Sequence, residues 1–141
     1  MADLRMSQGE REQFLAGLHV GVLAIPSDGA PLTAPIWYSY EPGGDIWVLI
    51  GPQSRKGRLL SEDDKVTLVA QQEAMPYAYV SVEGTVTAIA EPGDGDTLEM
   101  AVRYLGEEMG RGYAEANAQG ESVRVTIRPD RWLTVDYAKL A

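Results

Sequence analysis

The chain has 141 residues, 45% of them apolar, with 21 acidic and 12 basic side chains and a formal net charge of −9. That length suits a single domain spanning residues 1–141 with its own core, and the apolar share is too high for a disordered chain. The acidic balance excludes a broad basic face for nucleic acid. The lack of cysteine excludes disulfide and thiolate chemistry, and the single histidine excludes a multi-histidine metal site.

At the N-terminus, Ser7-Gln8-Gly9-Glu10 fits a capping box and predicts a short helix to about Leu18. The same segment, MADLRMSQGEREQ, lacks the apolar core of a secretory signal, and no long apolar run follows it, so a cytoplasmic protein without a membrane span is expected. His19–Ile25 is apolar and β-rich, and a Pro/Gly turn at Pro26–Pro31 sends it back into Leu32–Tyr40. Glu41-Pro42-Gly43-Gly44-Asp45 is a second turn, leading into Ile46–Ile50 as the third strand of a meander.

Ser54–Asp64 reads as a short helix with Ser54 as N-cap, and Val66–Gln71 as a fourth strand. Tyr77–Ala90 alternates with period 2: Ala78, Val80, Val82, Gly84 and Val86 on one face, Tyr77, Tyr79, Ser81, Glu83 and Thr85 on the other. Leu98, Val102, Leu105 and Met109 predict a helix over Asp96–Met109, capped by Asp96 and Glu99, with a further helical piece at Tyr113–Ala118. Ser122–Arg128 and Arg131–Tyr137 alternate again, joined at Pro129-Asp130. The expected fold is mostly β, about seven strands and three short helices, with barrel closure removing the sheet edges.

Side chains offer little for catalysis. The carboxylates are scattered, and His19 sits among apolar neighbours where a structural role is expected. An enzyme of this composition points to a cofactor that carries the reaction. One local feature breaks the acidic balance: Arg55, Lys56 and Arg58 follow Ser54 within four residues. A capping hydroxyl, free N–H groups and clustered cations suit a phosphate; a solvated turn paired with Glu62, Asp63 and Asp64 is the alternative. Trp37, Tyr77 and Tyr79 lie on polar strand faces, as cross-strand packing or as walls for a flat ring.

The blocks G-V-L-A, A-P-I-W, S-R-K-G-R-L-L and V-E-G-T-V, in this order, give the chain a resemblance to the pyridoxamine 5'-phosphate oxidase-like split β-barrels, in particular the flavin/deazaflavin oxidoreductases of that superfamily. The resemblance runs from the N-terminal helix through Tyr137. It implies an FMN-binding-like split barrel that holds FMN or the deazaflavin coenzyme F420 and transfers hydride to or from a small organic substrate. The cofactor phosphate would lie on Ser54, Arg55 and Lys56 with Arg58 nearby, and the ring along Ile36 and Trp37, touching Ile50, with Tyr79 at its side. It further implies a homodimer with the site at the subunit interface. The chain departs from the family in lacking an Arg/His substrate-phosphate motif, which argues against pyridoxamine phosphate oxidation itself, and in having Leu59 where asparagine is common. A non-catalytic flavin- or haem-binding barrel and a plain interaction module are the alternatives.

Overall fold

The structure, a computed structural model, describes residues 2–140. The first helix, α1 (Gln8–Ala16), opens with a complete capping box: the Ser7 hydroxyl accepts the Glu10 N–H at 3.2 Å, and the Glu10 carboxylate accepts the Ser7 N–H at 2.7 Å. Two orphan donors are satisfied reciprocally, which fixes where the helix starts. Two hairpins follow, β1 (Gly21–Ile25) with β2 (Leu32–Ile36), and β3 (Ser39–Tyr40) with β4 (Ile46–Ile50).

The predicted second strand, Leu32–Tyr40, is interrupted at Trp37 and Tyr38. The reason lies far along the chain: the Tyr104 hydroxyl accepts the Tyr38 N–H at 3.1 Å and sits 3.1 Å from the Tyr38 carbonyl, so both main-chain groups leave the ladder. Downstream, α2 (Arg55–Leu59) is a single turn, shorter than the helix expected to reach Asp64; after Leu60 the chain turns through residues 61–64 into β5 (Lys65–Gln72).

The sheet has seven antiparallel strands in the order β2-β1-β5-β6-β7-β4-β3. Its axis is the long pair β6 (Ala78–Ala90) and β7 (Val123–Asp136). The first three strands extend from β6 and the last two from β7, so the two long strands serve both halves of a split β-barrel. Period-2 burial holds along β6 from Ala78 to Gly84 and then breaks at register shifts near Glu83/Gly84 and Val86/Ala88. Bulges bend a strand and increase its twist, which lets one strand turn a barrel corner.

Pro129-Asp130, expected to be a turn between two strands, lies inside continuous β7. Gly84 pairs with Pro129 and Glu83 with Arg131, leaving Asp130 as the extra residue of a bulge. Its carboxylate accepts a bond from buried Thr85, whose hydroxyl is reached by Lys65 Nζ at 2.7 Å. With Arg128 on its other oxygen, the Asp130 carboxyl is held below the usual carboxylate range, chiefly by the Thr85 bond.

The core is one cluster built from the inward faces of the strands, including Leu23, Ile25, Val48, Leu68, Val82, Val86 and Ile127, with Leu15 of α1 and Tyr38. Tyr38 is fully buried and donates its hydroxyl to the Leu15 carbonyl at 2.7 Å. Burial pushes its phenol well above the ordinary tyrosine range.

The predicted helix over Asp96–Met109 is two helices, α3 (Asp96–Leu105) and α4 (Glu107–Ala116), broken at Gly106, whose φ of +86° a side chain would resist. Gly95, not Asp96, is the N-cap of α3. The Asp96 carboxylate instead accepts the Gly93 N–H at 2.7 Å and pairs with Arg124 of β7 at 3.0 Å, and that guanidinium lies 4.1 Å over the Trp47 ring. This buried acid also favours the positive end of α3 and ties the helix to β4 and β7. Among the described residues no helix is long and apolar enough to cross a membrane.

Candidate functional site

A cavity of about 540 Å³ opens where α2, α3 and α4 meet the ends of β2 and β4. Val20, Pro35, Ile36 and Trp37 come from the first hairpin, and Leu49, Ile50 and Gly51 from the end of β4. Ser54 and Lys56 reach it from α2, Thr97, Met100 and Ala101 from α3, and Tyr113 and Asn117 from the α4 side. The turn at residues 120–122 closes the wall. Apolar strand residues thus form the floor, a lysine stands at one end, and helices cover the top.

Five of the eight residues expected from the sequence, Ile36, Trp37, Ile50, Ser54 and Lys56, line this one cavity. Arg55 and Arg58 do not; they face a smaller hollow on the other side of α2, shared with Ser27, Asp28 and Gly29 of the β1–β2 turn. Tyr79 lines neither. It lies on β6 opposite Gln71 of β5 and Val135 of β7.

The basic turn shows why it has its sequence. Ser54 accepts the Gly57 N–H at 3.1 Å and donates to the Gly51 carbonyl at 2.6 Å, so its hydroxyl builds the turn and its one proton is already committed. Gly57 packs on the backbone of Gly51 and Pro52 so closely that a Cβ would fall on the Gly51 carbonyl oxygen. Because α2 is one turn long, Lys56 and Arg58 fall in its last turn, where cations suit the helix dipole. None of the ion pairs among the described residues involves Arg55, Lys56 or Arg58, and the alternative pairing with Glu62, Asp63 and Asp64 is not formed.

Trp37 is held by two tyrosines. Tyr104 of α3 stacks on it with planes 5° apart and centroids 5.0 Å apart, and Tyr113 of α4 meets it at 52° and 5.6 Å. The Tyr104 hydroxyl also donates to the His19 carbonyl at 2.6 Å, so one side chain sets the relation of β1, the Trp37-Tyr38 break and α3. His19 is structural: its Nε2–H bonds the Phe14 carbonyl at 3.0 Å, its ring stacks on Phe14, and it does not line the cavity.

Thr97, Met100, Ala101, Tyr104 and Tyr113 were missed by sequence reasoning. A signal existed for the first four, which recur at i, i+3, i+4 and i+7 and make one helical face. The competing stripe of Leu98, Val102 and Leu105 was more apolar, yet its members are half-buried, and the α4 backbone at Gly110 closes against Val102.

Fold and cavity together define a split β-barrel with a ligand-sized, aromatic-walled site between barrel and helices. The family model for pyridoxamine 5'-phosphate oxidase matches residues 7–136, and the chain belongs to that family. Among solved structures it is similar to a conserved hypothetical protein from Mycobacterium tuberculosis, at 26% identity and a TM-score of 0.77, covering 99% of this chain and 91% of that one. An F420 reductase shares the fold at 19% identity and a TM-score of 0.62, covering 86% and 94% of the two chains. A FAD-binding protein from Mesorhizobium loti does so at 18% and 0.63, covering 95% and 96%. No match was found among curated proteins.

Proposed function

We propose that the cavity binds a flavin-type cofactor, FMN or the deazaflavin coenzyme F420, and that the protein is an oxidoreductase acting on a small organic substrate. The observation that carries this reading is that Lys56, a cation without an acidic partner, faces the same cavity as the apolar and aromatic residues Ile36, Trp37 and Ile50. A site of about 540 Å³ is within the usual range for a small-molecule pocket, roughly 300–1,000 Å³. A flat ring bearing an anionic side chain fits this donor set: apolar floor, indole edge, ammonium at one end. The bound ring supplies two-electron hydride chemistry that no side chain here offers.

The chain's own residues would hold and shield it. Lys56 offsets the anionic group with a charge-assisted bond; Ile36, Leu49 and Ile50 keep water from the floor; Trp37, fixed by Tyr104, sets the plane. Arg55 and Arg58, on the far side of α2, contribute field more than contact in a single copy. Tyr79 enters the site only across the interface of a homodimer, which we include in the proposal. Exposed Tyr77, Leu133, Tyr137 and Leu140 near the end of the β6–β7 pair support such a contact.

Parallel titration with FMN, F420 and haem tests the reading. One of the two flavin-type cofactors should bind, and Lys56→Ala should weaken it about 10- to 150-fold, the loss of a charged hydrogen bond of about 1.5–3 kcal/mol. Arg55→Ala should cost less than Lys56→Ala. Unchanged affinity in Lys56→Ala, or binding of haem alone, would overturn it.

A further inference from the structure

The helices that cover the cavity are anchored very differently. Three attachments tie α3 to the barrel: Asp96 to Arg124, Arg103 to the carbonyls of Ala16 and Gly17 at 3.2 and 2.8 Å, and the Tyr104 hydroxyl to His19 and Tyr38. The side-chain bonds of α4, by contrast, stay within itself and the turn after it: Arg111 to Glu107, and Asn117 to the Tyr113 carbonyl. Its main packing partner is α3. It joins α3 through Gly106, whose positive φ interrupts the helix, and is held to α3 at buried Gly110, whose backbone closes on Val102; beyond that contact Gly112, where a Cβ would meet nothing, lowers the helicity of the end that carries Tyr113. Its cavity-facing aromatic, Tyr113, is 42% exposed and sits at a tilt on Trp37.

We propose that Trp37 and Tyr113 are the two jaws of an aromatic clamp for the substrate, that the clamp selects a flat conjugated ring, and that the end of α4 beyond Gly110 moves outward to admit it. Tyr113 is then the specificity-determining residue of the site. The inference rests on the cavity being a cofactor site, and it assigns the substrate to the α4 side.

The geometry sets the movement. Three aromatic layers at contact spacing of about 3.5–4 Å place the outer rings roughly 7–8 Å apart, whereas Trp37 and Tyr113 have centroids 5.6 Å apart. An outward shift of roughly 2 Å by the end of α4 that carries Tyr113 opens the slot, while Tyr104, stacked on Trp37, holds the fixed jaw in place. A thick, globular molecule would need the Gly110 contact with Val102 of α3 to break as well.

The test uses titration calorimetry on the full chain with two ten-carbon alcohols of similar size, flat 2-naphthol and globular 1-adamantanol. 2-Naphthol should bind at least tenfold more tightly. Tyr113→Ala should weaken it about three- to tenfold and Tyr113→Phe less than twofold. Amide exchange in residues 107–116 should slow when 2-naphthol is added. Equal binding of the two alcohols, unchanged 2-naphthol affinity in Tyr113→Ala, or unaltered exchange in α4 would each overturn the clamp. The cofactor reading is decided separately by Lys56→Ala, because the alcohols are titrated without cofactor.

Discussion

Gly57→Ala should destabilise the protein even though it puts a better helix former into α2. The helical gain from replacing glycine is about 0.5–1 kcal/mol. Against it, the new Cβ would overlap the Gly51 carbonyl and lie 2.8 and 2.9 Å from the Pro52 Cα and carbonyl carbon. These are backbone atoms of a turn already fixed by the two Ser54 bonds, so they cannot swing aside as a side-chain tip would. Overpacking of this kind costs about 1–3 kcal/mol, leaving a net loss of about 1–2 kcal/mol. For a chain of this size that lowers Tm by roughly 3–8 °C. Gly112→Ala in α4 is the matched control, since its Cβ would meet nothing within 4 Å; there the propensity gain stands alone and Tm should rise by roughly 2–4 °C. Thermal melts of both variants by circular dichroism decide the matter. A Gly57→Ala protein melting at or above wild type would refute the close-packing account of the turn, and with it the position assigned to Lys56.

The buried Tyr38 phenol favours its neutral form, so its stabilisation is complete below about pH 10, the ordinary tyrosine value, and is lost as pH rises above it. Tyr38→Phe should therefore cost about 1 kcal/mol at pH 7 through the lost Leu15 bond, yet lose less stability than wild type between pH 10 and 12 in urea melts. An identical pH slope in the two proteins would contradict this. The proposed homodimer should give a light-scattering mass near twice 15.3 kDa at micromolar concentration, and Leu133→Asp should shift it to the monomer. A monomer mass for the wild type would remove Tyr79 from the site.

What could be read from sequence was what repeats locally. The period-2 run in β6, the Ser7/Glu10 capping box and the Ser54 cap depend on neighbours within a few residues, and the structure keeps all three. What could not be read depends on distant partners. The break at Trp37-Tyr38 is made by Tyr104, 66 positions away, and the continuity of β7 through Pro129 by the bulged pairing with Gly84. Ser54 and Lys56 were legible from the basic turn and Trp37 from its place on a polar strand face, whereas Ile36 and Ile50 came only from the resemblance to the family. Tyr113 was not legible, because its role comes from how α4 folds back at Gly106 onto α3. Arg55 and Arg58, three residues apart, share one face of α2, and Lys56 lies about 100° round the turn from Arg55; which face meets the cavity depends on how α2 docks on the barrel, which its five residues do not encode.

The strand order has a consequence for how the protein is made. One edge of β4 is paired with β7, and Ile50 and Val123 are opposite one another in that ladder, 73 positions apart in the chain. At a synthesis rate of about 5–20 residues per second, β4 leaves the ribosome roughly 4–15 s before its partner exists. During that interval the β1–β2 hairpin can form and β5 and β6 can join it, but Ile46, Val48 and Ile50, all destined for the core, have nothing to cover them. The nascent chain is therefore a half-barrel with an adhesive edge, and the last strand translated closes it.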